Sequence, residues 1–212
     1  MQLTLVSHYG AKPARFAALL SELQSQLAAT LGANFTPYHL YQIHGTIVGL
    51  EGEGERAGLR IRNENFRRHR DVERFMDFPQ IVGLVRAVKP FCIRVGGFQH
   101  SADYDFTSNG AHPFIRSFSI QGTIAVAMGW PWANGRCSDA LFKLRKSLEG
   151  CGVLHKWHRR ESDRDNDFFF VLGRVSRERV TGDCLKEAEE ILRRQLAARE
   201  PIELEVNCDT LR

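Results

Sequence analysis

Two residues in the stretch Ile43-His44-Gly45-Thr46-Ile47-Val48-Gly49-Leu50 have side chains that could do chemistry together, His44 and Thr46. A spacing of two puts both on one face of an extended strand. An imidazole moves protons near neutral pH, and a hydroxyl donates to a phosphoryl oxygen. Side by side on a rigid strand, the pair suits work on a phosphate. The plainer reading is two hydrogen-bonded polar residues on a sheet facing water. The strand itself is well marked. It is apolar and β-branched, and Gly49 and the run Glu51-Gly52-Glu53-Gly54 end it.

Other residues compete for a role. His155 and His158, spaced i, i+3, lie in a polar stretch from Val153 to Asp167 with Lys156, Arg159, Arg160 and Arg164. One of these histidines could swing into a cleft, and Trp157 offers a stacking surface for a base. A solvated basic loop is the favoured reading of this stretch. Tyr38 and Tyr41 flank the entry to the central strand, where they stack on a base or cover a sheet edge. The segment Glu51–Asp77, with Arg60, Arg62, Arg67, Arg68, Arg70 and Arg74, reads as a solvated excursion rather than an RNA-gripping patch. No G-x-S-x-G, G-x-G-x-x-G or G-x-x-x-x-G-K-[ST] sequence is present, which argues against a serine hydrolase, a dinucleotide site or a P-loop. Asp163-Arg164-Asp165-Asn166-Asp167 does not continue into an EF-hand.

The elements that must position these residues follow from periodicity. Leu3–Tyr9 reads as a strand. Pro13 opens a helix along Phe16, Leu19, Leu20, Leu23, Leu27 and Leu31, with Gly32 as its stop. After the His44 strand and the Arg-rich excursion come a helix over Gln80–Val88 and a strand over Phe91–Phe98. A loop follows over Gln99–Pro113, then one long strand over Phe114–Met128. Ser138 or Asp139 caps a helix through Leu141, Leu144, Arg145 and Leu148. Phe168–Val175 is a buried strand. Asp183 caps a last helix, and Ile202–Val206 alternates as a last strand. The order is β-α-β, insertion, α-β-β-α-β-α-β. This is an α+β chain of interleaved strands and helices with no linker, and 1–212 reads as a single domain.

The bulk numbers agree with that picture. The 212 residues are 43% hydrophobic and 25% charged, with a net charge of +4 that permits an anionic ligand without demanding nucleic acid. No apolar run approaches ~18 residues, so no membrane span is expected. The N-terminus reads as a first strand rather than a signal peptide. The five cysteines, Cys92, Cys137, Cys151, Cys184 and Cys208, are scattered without C-x-x-C spacing. They read as reduced thiols of a cytoplasmic protein, with no disulfide framework and no zinc site.

The order of elements, with His44-x-Thr46 on the second strand, resembles the two-histidine (2H) phosphoesterase superfamily. That group includes the RNA 2′,3′-cyclic phosphodiesterases once called 2′-5′ RNA ligases. The resemblance implies a bilobal α+β fold, with two pseudo-symmetric antiparallel sheets facing a central cleft and helices outside. Each lobe supplies one H-x-T or H-x-S strand. One histidine takes a proton from the attacking group, the other protonates the leaving ribose oxygen, and the hydroxyls hold the phosphate, without metal or cofactor. His44 and Thr46 match the first motif. By element order the second belongs on Phe168–Val175, which has no histidine and no hydroxyl, only Arg174 to meet an anion. Gln121-Gly122-Thr123-Ile124 echoes His44-Gly45-Thr46-Ile47 one strand earlier, but glutamine transfers no proton at neutral pH.

Two functions are therefore expected. The first is a phosphodiesterase acting on a 2′,3′-cyclic or 2′,5′-linked ribose phosphate, with His44 and Thr46 catalytic. Its substrate would be bound by Gln121, Thr123, Arg174, Tyr41, His155 and His158. The second is a catalytically impaired module of the same fold that binds a nucleotide or RNA end.

Overall fold

The computed structural model describes residues 2–54 and 60–212. Residues 55–59 of the Arg-rich excursion lie outside them. The strands are β1 (Gln2–Ser7), β2 (Phe35–Pro37), β3 (Gly45–Gly54), β4 (Ile61–Asn63), β5 (Phe91–Val95), β6 (Phe118–Gln121), β7 (Ile124–Ala133), β8 (Arg136–Cys137), β9 (Phe168–Val175) and β10 (Ile202–Val206). The helices are α1 (Ala14–Leu31), α2 (Glu64–Arg70), α3 (Phe78–Arg86), α4 (Pro113–Arg116), α5 (Ala140–Gly150) and α6 (Gly182–Ala197). The fold is α+β. The strands form one antiparallel sheet in the order β1-β3-β9-β7-β5-β10, with the short strands appended. No helix among the described residues is long and apolar enough to cross a membrane, and the five cysteines are free thiols.

Burial explains the layering. The leucine stripe of α1 (Leu19, Leu20, Leu23, Leu27) is buried, as are Ala188, Leu192 and Leu196 of α6 and Leu141, Leu144 and Leu148 of α5. They pack against alternate strand residues, among them Ile47, Ala125, Ala127, Phe168, Phe170 and Leu172, in one large core. Phe16 of α1 meets Phe170 edge-on at 4.7 Å between ring centroids. The intervening residues Val126, Met128 and Trp130 turn to the other face. There, with Phe98, they form a smaller cluster under Tyr104 and Phe106.

β3 and β9 meet through a single ladder pair, Gly45↔Phe170. Gly45 permits that crossing, because a Cβ there would fall 2.1 Å from the Phe168 ring.

Several expectations need correction. Phe114–Met128 is not one strand. His112 Nδ1 accepts the Phe114 N–H at 3.2 Å and starts the short helix α4, and β6 and β7 then form a hairpin. Gly122 supplies the positive φ, +60°, that its two-residue turn requires. Within Glu51–Asp77, β3 continues to Gly54, and Ile61, Asn63, Asn65, Phe66 and Met76 are buried, so this is not simply a solvated excursion. Asn63 Oδ1 accepts the Phe66 N–H at 3.1 Å and caps α2. The helix expected over 80–88 runs Phe78–Arg86, because Asp77 Oδ1 accepts the Gln80 N–H at 2.9 Å.

Candidate functional site

His44 is the residue immediately before β3. Its Nδ1 lies 2.7 Å from the Gln42 carbonyl oxygen. A carbonyl only accepts, so Nδ1 carries the proton and Nε2 holds the lone pair. Nε2 has no hydrogen-bond partner among the described residues. The Tyr9 ring lies 5.9 Å away, tilted by 49°.

Thr46 sits at a bulge. Val6 pairs with Thr46 and Leu5 with Val48, so Ile47 is the extra residue, and both Ile47 and Val48 are buried. The freed backbone carbonyls need donors. Arg145 supplies them, with Nε 2.7 Å from Ile47 O and an Nη 3.2 Å from Thr46 O. The same guanidinium donates to Asp165 O at 3.0 Å, Asp165 Oδ2 at 2.7 Å and Asp167 O at 3.0 Å. It is fully buried, so its charge is compensated almost entirely by these acceptors.

Behind Arg145 lie His155 and His158, both buried, with ring centroids 5.2 Å apart. His155 Nε2 lies 2.9 Å from Asp165 Oδ2, and His158 Nδ1 lies 3.1 Å from Glu149 Oε1. Burial, then the Arg145 charge, pushes His155 down to about 3. Burial also lowers His158. Both imidazoles are neutral at pH 7, and neither stands in a solvated loop. They form part of the brace behind the strand, and the expectation that one swings into a cleft is corrected.

The single β3–β9 pair fixes what faces His44 and Thr46. With Gly45 opposite Phe170, the antiparallel register places His44 opposite Val171 and Thr46 opposite Phe169. The next strand continues the apolar surface, with Val126 beside Val171 and Met128 beside Phe169. An open cavity of about 410 Å³ lies over this junction, lined by Tyr9, Tyr38, Gln42, His44, Ile124 and Val171. Arg174 stands at its edge, exposed, its Nε 3.2 Å from the Tyr38 hydroxyl. That hydrogen bond is the main cause that raises the Arg174 pKa.

The remaining candidates are scattered. Tyr41 is exposed and absent from the cavity wall, and its ring lies 5.8 Å from His39. Gln121 closes the β6–β7 hairpin opposite Ile124, and Thr123 is the second residue of its turn. The Gln121 amide donates to Ser119 Oγ at 2.9 Å, and Thr123 O accepts the Val175 N–H at 2.8 Å. The structure thus gathers His44 with Tyr38, and Arg174 beside them. Thr46 lies on the same face of β3 but outside the cavity lining. Sequence reasoning missed Tyr9, Ile124 and Val171 in the wall, and Arg145 behind it. Only Arg145 left a signal, as a cation in the middle of a helix's leucine stripe.

No protein-family model and no curated protein matches the chain.

Proposed function

We propose that the one sheet is built of two pseudo-symmetric antiparallel halves, joined among the described residues only by the Gly45–Phe170 pair and meeting at a central cleft, in the manner of the two-histidine phosphoesterases. In that cleft the chain binds a nucleotide or RNA end without efficient turnover. One observation carries the reading: Gly45 pairs with Phe170, and that register, extended one residue either way, sets His44 and Thr46 opposite Val171 and Phe169. Opening a 2′,3′-cyclic phosphodiester needs a base on one side and an acid on the other. The β9 side offers neither. What remains suits binding. Tyr9 and Tyr38 present aromatic surface, Ile124 and Val171 an apolar floor, and Arg174 donates to a phosphate, as His44 Nε2 does only in the imidazolium form.

Titration calorimetry of the full chain with a 2′,3′-cyclic nucleotide tests this. Binding is expected, weakened about ten-fold in His44→Ala. No binding, or binding indifferent to that change, overturns the reading.

A slow phosphodiesterase is the second reading, and the posture of His44 favours it. Nδ1 is held by Gln42, which presents Nε2 as a base, and the Thr46 hydroxyl has no partner among the described residues. A single general acid or base contributes ~10²–10⁴-fold, so one group sustains part of a rate. Chromatographic detection of ring-opened product, lost in His44→Ala, would decide for this reading.

A further inference from the structure

Two basic stretches far apart in the chain meet in space. The last turn of α2 carries Arg67, Arg68, His69 and Arg70. The loop after α5 carries Lys156, Arg159 and Arg160. Arg70 ties them together, its Nη 3.0 Å from His158 O. Burial lowers the His69 pKa, and Arg159, Arg68 and Arg70 lower it further, which places three cations around it. Most of these charges have carboxylate partners: Arg67 with Glu53, Arg68 with Glu64, Arg70 with Glu161 and Arg160 with Asp163. Lys156 and Arg159 have none among the described residues. Both lie over Trp157, Lys156 Nζ at 5.2 Å and Arg159 Cζ at 5.4 Å from its ring. The indole is 47% exposed.

Lys156 also connects this surface to the cleft. Its Nζ lies 5.8 Å from the ring of Phe169, the residue opposite Thr46. A line therefore runs from His44 to Thr46, about 7 Å along the strand, then over Phe169 to Lys156 and on to Trp157. Uncompensated cations flanking an exposed aromatic ring suit a single-stranded nucleic acid: the ring stacks a base and the cations take phosphates. The long Lys156 and Arg159 side chains exchange the indole for a phosphate when a base takes their place on it.

We propose that RNA whose end occupies the His44 cavity lays its neighbouring nucleotides across Lys156 onto a platform formed by Trp157 and Arg159. This rests on the reading of the cleft given above and names its ligand as a strand rather than a mononucleotide. The test compares two probes on the full chain. One is a fluorescent oligouridylate of about six nucleotides ending in a 2′,3′-cyclic phosphate, followed by anisotropy. The other is 2′,3′-cyclic UMP, followed by calorimetry.

Trp157→Ala should weaken the oligomer about ten-fold and leave the mononucleotide unchanged, and Trp157→Phe should recover most of the loss. Lys156→Gln with Arg159→Gln should lower the slope of log affinity against log salt by about 1.4. If the mononucleotide binds but the oligomer ignores Trp157→Ala, the platform is overturned and the cleft reading stands. If the oligomer depends on Trp157 while neither probe responds to His44→Ala, the cleft reading falls, and the continuous path with it. Oligoglutamate binding as tightly as the RNA would assign the surface to an acidic peptide and overturn the proposal.

Discussion

On the β3 side of the junction, His44 and Thr46 present a proton carrier and a hydroxyl, braced from behind by Arg145, Asp165 and His155. On the β9 side, Phe169 and Val171 occupy the facing positions. Their surface runs on through Val126 and Met128 to Trp130 and Phe98, whose rings meet edge-on at 4.9 Å. Asp167 belongs to both sides. Its backbone oxygen accepts from Arg145, while its carboxylate accepts from Trp130 Nε1 at 2.8 Å, Ser108 Oγ at 2.6 Å and Arg116 at 2.9 Å. A polar pair facing an open cavity keeps its hydration and needs a rigid support. An apolar pair gains from burial, by about 25 cal/mol per Å² covered. The difference teaches that one sheet frame carries a polar face or an apolar face according to two alternate residues per strand.

The largest effect should come from making the two sides alike. In an antiparallel pair, Phe169→His with Val171→Thr places a new imidazole opposite Thr46 and a new hydroxyl opposite His44. We expect hydrolysis of a 2′,3′-cyclic nucleotide to rise ~10²–10⁴-fold over the wild type, with a bell-shaped pH profile. No rise in a variant that melts like the wild type would break the comparison, because the two sides would then not be equivalent halves of one site.

The brace comes next. Arg145→Met removes the donors of the Thr46 and Ile47 carbonyls and leaves the buried Asp165 carboxylate without its cation, held among the described residues only by His155 and the Asp167 N–H. Breaking such a pair costs about 3–5 kcal/mol, to be read from urea denaturation. Arg145→Lys should not restore it, since an ammonium lacks the planar fork. A loss under about 1 kcal/mol would show that the bulge holds itself.

The pH dependence tests the same brace more gently. His155 is held at about 3 when folded and returns to 6.5 when unfolded. Between those values the unfolded chain binds the proton and the folded one does not, so stability falls as pH falls. Going from pH 7 to pH 5 should cost about 2 kcal/mol. Lowered His158 adds in the same direction. For Asp165, burial pushes the pKa up, but the His155 hydrogen bond and Arg145 more than offset it, so it stays below 3.8. Its contribution is still present at pH 5 and is lost only in stronger acid. His155→Gln should flatten the slope. An unchanged slope would remove His155 from the brace.

Much of this was legible where periodicity is strong. The leucine stripe of α1, the apolar runs of β3 and β9 and the alternation of β10 declare their elements. The His44–Thr46 face follows from spacing alone. What escaped depends on partners distant in sequence. His155 and His158 sit among cations and read as solvated, because nothing local reveals that Asp165 and Glu149 each hold one ring nitrogen inside. The β6–β7 turn escaped because both its arms are apolar and only Gly122 marks it. The bulge at Ile47 depends on a register with β1 that no local pattern encodes.

The smallest effect is expected at the echo Gln121-Gly122-Thr123. Its likeness to His44-Gly45-Thr46 suggests Gln121→His as a restored catalytic residue. Gln121 pairs with Ile124, so its side chain shares a face with a cavity-lining residue, and direction alone does not exclude it. Distance does. The order β3-β9-β7, with β6 beyond β7, puts Gln121 three strand spacings from β3. At about 4.8 Å each that is about 14 Å, whereas an acid and a base acting on one phosphorus each need hydrogen-bond reach of it. Gln121→His should therefore change the hydrolysis rate less than about two-fold, against ~10²–10⁴-fold for the β9 double variant. Its stability should shift by no more than about 0.5 kcal/mol, since the side chain is exposed. If this single change raised the rate as far as the double variant, the partner of His44 would be β6 rather than β9, and the comparison would have to be redrawn around the hairpin.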